Sequence, residues 1–205
     1  MAVIVVGGHS RSVGKTSVVA GLIAAMHERV WTAVKITQFG HGICSVNGES
    51  CDCAVDEHTL AISDERDRSG ESDTSRFLLA GAQRALWVRT KQGRLAEAMP
   101  ALRARLADSR DVIVESNSVM KFLRPDLYLT VLDHDTADFK ATAMEFLDRA
   151  DALLLHDRGN GVPQWQGISL KLLEGKPSFA VRPPQYVSSE LVNWVRGQIA
   201  EEVKK

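Results

Sequence analysis

The sequence predicts an α/β fold in three layers, a mostly parallel sheet with helices on both faces. Three observations carry this expectation. The chain opens on an unbroken apolar run, Ala2-Val3-Ile4-Val5-Val6, as expected of a strand buried on both sides. A glycine-bearing turn then leads directly into apolar residues at helical spacing. Further along, short apolar runs alternate with helical patterns, which is the order of a parallel sheet with crossover helices. The 205 residues suit a single domain spanning 1–205, and 44% apolar residues suffice to fill its interior.

The elements follow in order. Val18, Val19, Leu22, Ile23 and Met26 predict the first helix, running to about residue 29. Strands are expected at 30–37, 85–89, 111–115, 127–132, 152–155 and 178–181. Leu95, Met99, Leu102 and Leu106 mark one helical face, with Pro100 starting or kinking the helix. Helical patterns at 139–149, 165–174 and 191–203 complete the alternation. Between 38 and 72, glycines, cysteines, histidines and a mixed-charge run replace periodicity. Structureless stretches of that length are uncommon in compact domains, so 38–72 is read as an insert that carries function or a small fold of its own. Its run Asp64-Glu65-Arg66-Asp67-Arg68 reads as a solvated face. Trp31, Trp87, Trp165 and Trp194 fall in apolar patterns and read as packing residues.

Charge and composition exclude several classes. Lys and Arg number 25 against 26 Asp and Glu, a net charge of −1, so no overall field draws the chain to nucleic acid or to an anionic membrane. No apolar run approaches the ~18 residues of a membrane helix, and the start lacks a signal peptide's basic region. A cytoplasmic protein is expected, with no nucleic-acid or membrane partner. Three cysteines cannot all pair within one chain, which argues against a secreted disulfide scaffold and for reduced thiols.

Gly7-Gly8-His9-Ser10-Arg11-Ser12-Val13-Gly14-Lys15-Thr16 lies between the first strand and the first helix, the setting that a phosphate-binding loop requires. Backbone N–H groups and the helix start face the phosphates, Lys15 reaches the β and γ oxygens, and the Thr16 hydroxyl serves Mg²⁺. The candidate nucleotide contacts are Gly8, His9, Ser10, Arg11, Ser12, Val13, Gly14, Lys15, Thr16 and Ser17. For His9, a backbone-packing role and a phosphate contact both stand, ahead of metal ligation. Asp111-Val112-Ile113-Val114-Glu115 ends an apolar strand on a carboxylate, where ligands of open α/β sheets bind. Glu115 would hold Mg²⁺ directly or through water; the alternative is a helix cap formed with Ser116, Asn117 and Ser118. Asp73 could serve Mg²⁺ or orient an attacking water, and Arg76 could meet phosphate charge; a surface ion pair is the other reading of both.

Gly8-x₅-Gly14-Lys15-Thr16 resembles the loop of the dethiobiotin synthetases, in the SIMIBI class of P-loop NTPases. Asp73-Thr74-Ser75-Arg76 with Ala80-Gly81-Ala82, and Lys35 closing the second strand, resemble the MobB proteins of molybdopterin-guanine dinucleotide biosynthesis. The strands at 127–132 and 152–155 are similar to those of urease- and hydrogenase-maturation GTPases. In those GTPases the second of these strands ends in N-K-x-D, whose Asp reads guanine; here it ends His156-Asp157-Arg158-Gly159-Asn160, leaving Asp157 as a weak candidate and the base open between GTP and ATP. Arg182-Pro183-Pro184 is a second candidate base-side loop or a simple turn.

The resemblance implies a slow, dimeric Mg²⁺-dependent nucleoside triphosphatase acting in cofactor or metal-centre maturation with a client protein. The alternatives are a non-hydrolytic nucleotide-binding adaptor and an ATP-dependent small-molecule ligase or kinase. Cys44, Cys51 and Cys53, flanked by His41 and His58, offer enough nitrogen and sulfur ligands for Zn²⁺ or another soft metal. A metal bridge across a dimer, a redox pair and small buried thiols are the other readings of that cluster. Asp133, His134, Asp135 and Asp138 read as a solvated strand-to-helix loop.

Overall fold

The computed structural model describes residues 1–39, 60–157, 163 and 165–201. Among these residues eight strands form one sheet: β1 (Ala2–Gly8), β2 (Trp31–Phe39), β3 (Leu60–Asp64), β4 (Arg84–Lys91), β5 (Asp111–Glu115), β6 (Leu127–Leu132), β7 (Ala152–His156) and β8 (Ser178–Val181). Their spatial order is β3-β4-β2-β5-β1-β6-β7-β8. Every neighbouring pair is parallel except β3 with β4.

Among the described residues five α-helices accompany the sheet: α1 (Lys15–Ala25), α2 (Asp73–Leu79), α3 (Leu95–Leu106), α4 (Ala141–Glu145) and α5 (Ser189–Glu201). The first strand shows why the sheet has two cores. Ile4 and Val6 pack with Val18, Leu22, Phe77, Val195 and Ile199 of α1, α2 and α5. Val5, one residue out of phase, packs with Leu95, Met99 and Leu102 of α3 on the other face. Alternate side chains of a strand point to opposite faces, so a strand covered on both sides must be apolar throughout.

Four expectations need correction. The pattern at 139–149 gives only α4 and a 3₁₀ turn at Leu147–Arg149. The helix ends at Phe146 (φ −118°), and the buried Leu147 begins the 3₁₀ turn. The pattern at 165–174 reduces to a 3₁₀ turn at Leu170–Leu173, bounded by Gly167 and Gly175 in left-handed conformation. Pro100 does not start α3. It lies inside the helix at an exposed position, where water can meet the Ala96 carbonyl that loses its partner. Lastly, 38–72 is not wholly an insert, because β2 extends to Phe39 and β3 forms the antiparallel sheet edge.

The charged run after β3 is also more than a solvated face. Asp64 is bound by Arg84 (2.5 Å) and Arg105. Glu65 accepts from the amides of Arg66 and Asp67 and from the hydroxyls of Thr74 (2.7 Å) and Ser72 (3.1 Å). Ser72 in turn caps α2 through a reciprocal pair with Ser75. This network fixes the first residue of α2, which is Asp73. Among the described residues no helix is long and apolar enough to cross a membrane.

Candidate functional site

The loop between β1 and α1 is held from below by Asn117, two residues past the end of β5. Its Oδ1 accepts from the Gly8 N–H (2.9 Å) and its Nδ2 donates to the Gly8 carbonyl (2.8 Å). A Cβ at Gly7 would lie 2.0 Å from that Oδ1, so glycine is required for so close an approach. Gly14 sits at φ +88° and leads into α1, and a Cβ there would stand 2.3 Å from the Tyr186 ring. Among the described residues, the backbone N–H groups of 11–17 make no hydrogen bond. A row of unused donors opening a helix is a ready anion site. Val13 is buried, Arg11 and Ser12 are exposed, and Arg76 donates to the Ser17 hydroxyl (2.9 Å).

Lys15 donates to the carbonyl of Ser10 (2.6 Å), a neutral partner. Burial pulls its pKa down to about 8, against the pull of Glu115 and with the help of Lys140 and Lys35. The ammonium, without an ion-pair partner among the described residues, therefore favours an incoming anion.

The register of the central strands builds the other half of the site. Lys35 of β2 lies directly beside Glu115 of β5, and Glu115 beside Val6 of β1, just before the loop. The Lys35 Nζ reaches Glu115 Oε1 at 2.5 Å, Asp73 Oδ2 at 2.7 Å and Thr16 Oγ1 at 3.4 Å. Thr16 also donates to Glu115 Oε2 (2.9 Å). Burial works to lower the pKa of Lys35, but Glu115 and Asp73 carry it above its ordinary value. Burial likewise works to raise that of Asp73, and Lys35 holds it below the usual carboxylate range. Thr16, Asp73 and Glu115, three of the sequence-proposed residues, thus converge on one cationic point. Glu115 belongs to this cluster and not to a helix cap, while Ser116 does accept from the Val119 amide (3.3 Å).

His9 is fully buried between Phe139 and Trp165, with ring centroids at 5.2 and 5.3 Å. Its ring nitrogens meet the carbonyls of Val131 (3.4 Å) and Thr136 (3.2 Å), and its own N–H donates to Val131 O (3.1 Å). Of the two roles open to it, the geometry gives it packing. Ser10 uses its hydroxyl on Asp138 (2.6 Å). Asp157 lies at the far side of the site, ion-paired at the surface to Arg182 (2.7 Å). Beside it His156 bonds the Val13 carbonyl (2.9 Å), and Tyr186 stands over Gly14.

His41, Cys44, Cys51, Cys53 and His58 lie outside the described residues. Among the described residues no group of three or more His, Cys, Asp or Glu side chains could hold a metal ion. The sequence does not single out Lys140 or Tyr186, offers Asn117 only as part of a helix cap, and marks Lys35 only through a resemblance. Asn117 had one local signal, its place two residues after the strand-ending carboxylate.

Strand order, the loop after β1 and the helix that follows it define the P-loop NTPase fold. No protein-family model and no curated protein matches the sequence. Among solved structures, HypB from Helicobacter pylori, determined in complex with nickel, superposes with a TM-score of 0.53 at 14% identity, covering 97% of this chain and 87% of that one. LpxK from Aquifex aeolicus in complex with ATP gives 0.47 at 18% identity, over 100% of this chain and 67% of its own. A Zn(II)-bound variant of the YjiA GTPase gives 0.43 at 10%, over 93% and 60%. The likeness to HypB is one of fold.

Proposed function

We propose that the chain binds a nucleoside triphosphate, GTP or ATP, with Mg²⁺ on residues 8–17 and hydrolyses it slowly in support of cofactor or metal-centre maturation. The observation that carries this reading is the convergence of Thr16, Asp73 and Glu115 beside a loop whose amides are unused. One hydroxyl and two carboxylates are the hard oxygen donors Mg²⁺ takes, and they already surround a positive charge. The ion, when bound, would neutralise charge on the β and γ oxygens.

The chain's own groups divide the remaining work. The amides of 11–17 and the Lys15 ammonium bind the phosphates. Thr16 and Glu115 would hold the ion where the Lys35 ammonium now lies, with Asp73 within reach. Arg76, braced by Ser17, adds positive charge at the start of α1. Asp73, half-exposed and held below the usual carboxylate range by Lys35 in the free protein, would either join that shell or accept a hydrogen bond from a water and orient it toward the γ-phosphorus.

The maturation role rests on the MobB-like segment at Asp73, with a homodimer and a client protein as its partners; HypB, of like fold, was solved with nickel. The cysteine segment would carry Zn²⁺ or another soft metal. Thermal unfolding with Mg²⁺ and GTP or ATP tests the central claim: wild type should be stabilised and Lys15→Ala should not. Stabilisation of the Lys15→Ala protein equal to wild type would remove the loop assignment. Single-turnover hydrolysis should be slowed in Asp73→Asn with binding retained, and a wild-type rate equal to buffer would leave a nucleotide-binding adaptor.

A further inference from the structure

The segment that follows β6 is stitched to the phosphate loop along its length. Thr136 accepts from the His9 ring, Asp138 from the Ser10 hydroxyl, and the Lys140 amide donates to the His9 carbonyl (2.8 Å). Phe139 packs on His9, and Trp165 packs on both while donating to the Thr136 carbonyl (3.0 Å). This strap places Lys140 against the loop, half-buried.

Among the described residues the Lys140 ammonium makes no hydrogen bond or ion pair. Its nearest carboxylate in sequence, Asp138, is taken by Ser10. Burial lowers its pKa, Arg11 and Lys35 add to the effect, and Asp138 and Glu115 oppose it. The strap that carries Lys140 thus joins the loop at His9 and Ser10, and the Ser10 carbonyl is the one to which the Lys15 ammonium donates (2.6 Å). Lys35 is ion-paired to two carboxylates, whereas Lys15 and Lys140 form no ion pair among the described residues. Two half-buried cations of that kind, set against unused amides, fit a polyanion.

We propose that Lys140 binds the terminal phosphate of the nucleoside triphosphate, so that the strap after β6 distinguishes triphosphate from diphosphate. This rests on the nucleotide-binding reading above. The strap meets the loop where the Lys15 ammonium lies, and a lysine at that place in a phosphate loop serves the β and γ oxygens, which puts Lys140 on the γ side. A diphosphate would leave it unpaired.

Calorimetric titration of wild type, Lys140→Met and Lys140→Arg with GTP, GDP, ATP and ADP in Mg²⁺ tests the assignment. Loss of a charge-assisted hydrogen bond should weaken triphosphate binding by roughly ten- to a hundred-fold in Lys140→Met. Diphosphate binding should change less than about two-fold, and Lys140→Arg should restore most of the loss. Equal losses for both nucleotides, or none, would overturn the proposal while leaving the nucleotide site in place. Wild type that binds neither nucleotide would remove that site and the proposal with it. Amine-reactive labelling of the wild-type protein gives a readout free of folding effects. Triphosphate should protect Lys140 and diphosphate should not; equal protection, or its absence, counts against the assignment.

Discussion

Replacing Lys35 by methionine keeps an unbranched stem and removes only the ammonium that joins Thr16, Asp73 and Glu115. The Asp73 partner is 44% exposed, so that pair is screened and contributes little. The Glu115 partner is 2% exposed and decides the magnitude. Without Lys35 its carboxylate keeps Thr16 as a donor but loses its counter-charge, and removing one member of a buried pair costs roughly 3–5 kcal/mol. Lys35 is itself 18% exposed, so water enters and the low end applies, about 3 kcal/mol. In a protein of this size that lowers the Tm by about 6–12 °C.

The pKa of Lys35 lies above its ordinary value in the folded state. Its contribution is therefore complete at neutral pH and is lost only as pH rises through that folded value. Unfolding of Lys35→Met, Glu115→Gln and the double variant, without nucleotide, measures the coupling. The double variant should be more stable than Lys35→Met alone, since it no longer buries an unpaired charge. Millimolar Mg²⁺ should stabilise Lys35→Met more than wild type. A loss under about 1 kcal/mol, or a double variant less stable than Lys35→Met, would refute the reasoning.

Other consequences are equally direct. Because burial holds Lys15 near pKa 8 in the free protein and bound phosphate favours its charged form, triphosphate affinity should fall as pH rises through about 8. Lys15→Arg, always charged, should flatten that dependence in titrations at pH 7 and 9, and an unchanged slope would assign it elsewhere. Asn117→Ala removes two buried hydrogen bonds to Gly8 and should cost about 1–3 kcal/mol of stability and weaken nucleotide binding, measured by denaturant unfolding and titration. Protein purified without chelator should contain near-stoichiometric Zn or another soft metal by elemental analysis, and the joint Cys51→Ser, Cys53→Ser variant should lose it. Metal-free wild type that fails to take up Zn²⁺ would sink that site.

Much of the architecture was legible from local pattern. Every predicted strand exists, β5, β6 and β8 with the predicted ends, because an apolar run bounded by turns and charges marks a buried strand wherever it lies in the sheet. β3 escaped notice because an edge strand needs no continuous apolar run: its residues are half-buried or exposed and it leans on β4 alone. The short elements at Ala141–Glu145 and Leu170–Leu173 were over-read as full helices, since periodicity reports a face to bury but not the geometry that buries it.

For the site, the sequence by itself determined the parts whose chemistry is contiguous: the glycine loop, Lys15 and Thr16, and a carboxylate closing an apolar strand. Only the tertiary structure decided what those parts face. Strand order sets β2, β5 and β1 side by side, bringing Lys35, Glu115 and Thr16 together from positions up to 99 residues apart. It also turned His9 into the packing, drew Asn117 under Gly8 and carried Lys140 over the loop. The physical reason is that helical and strand periodicities record which side chains leave water, a local property. Which strands become neighbours depends on packing across the whole sheet, and no short stretch of sequence carries that information.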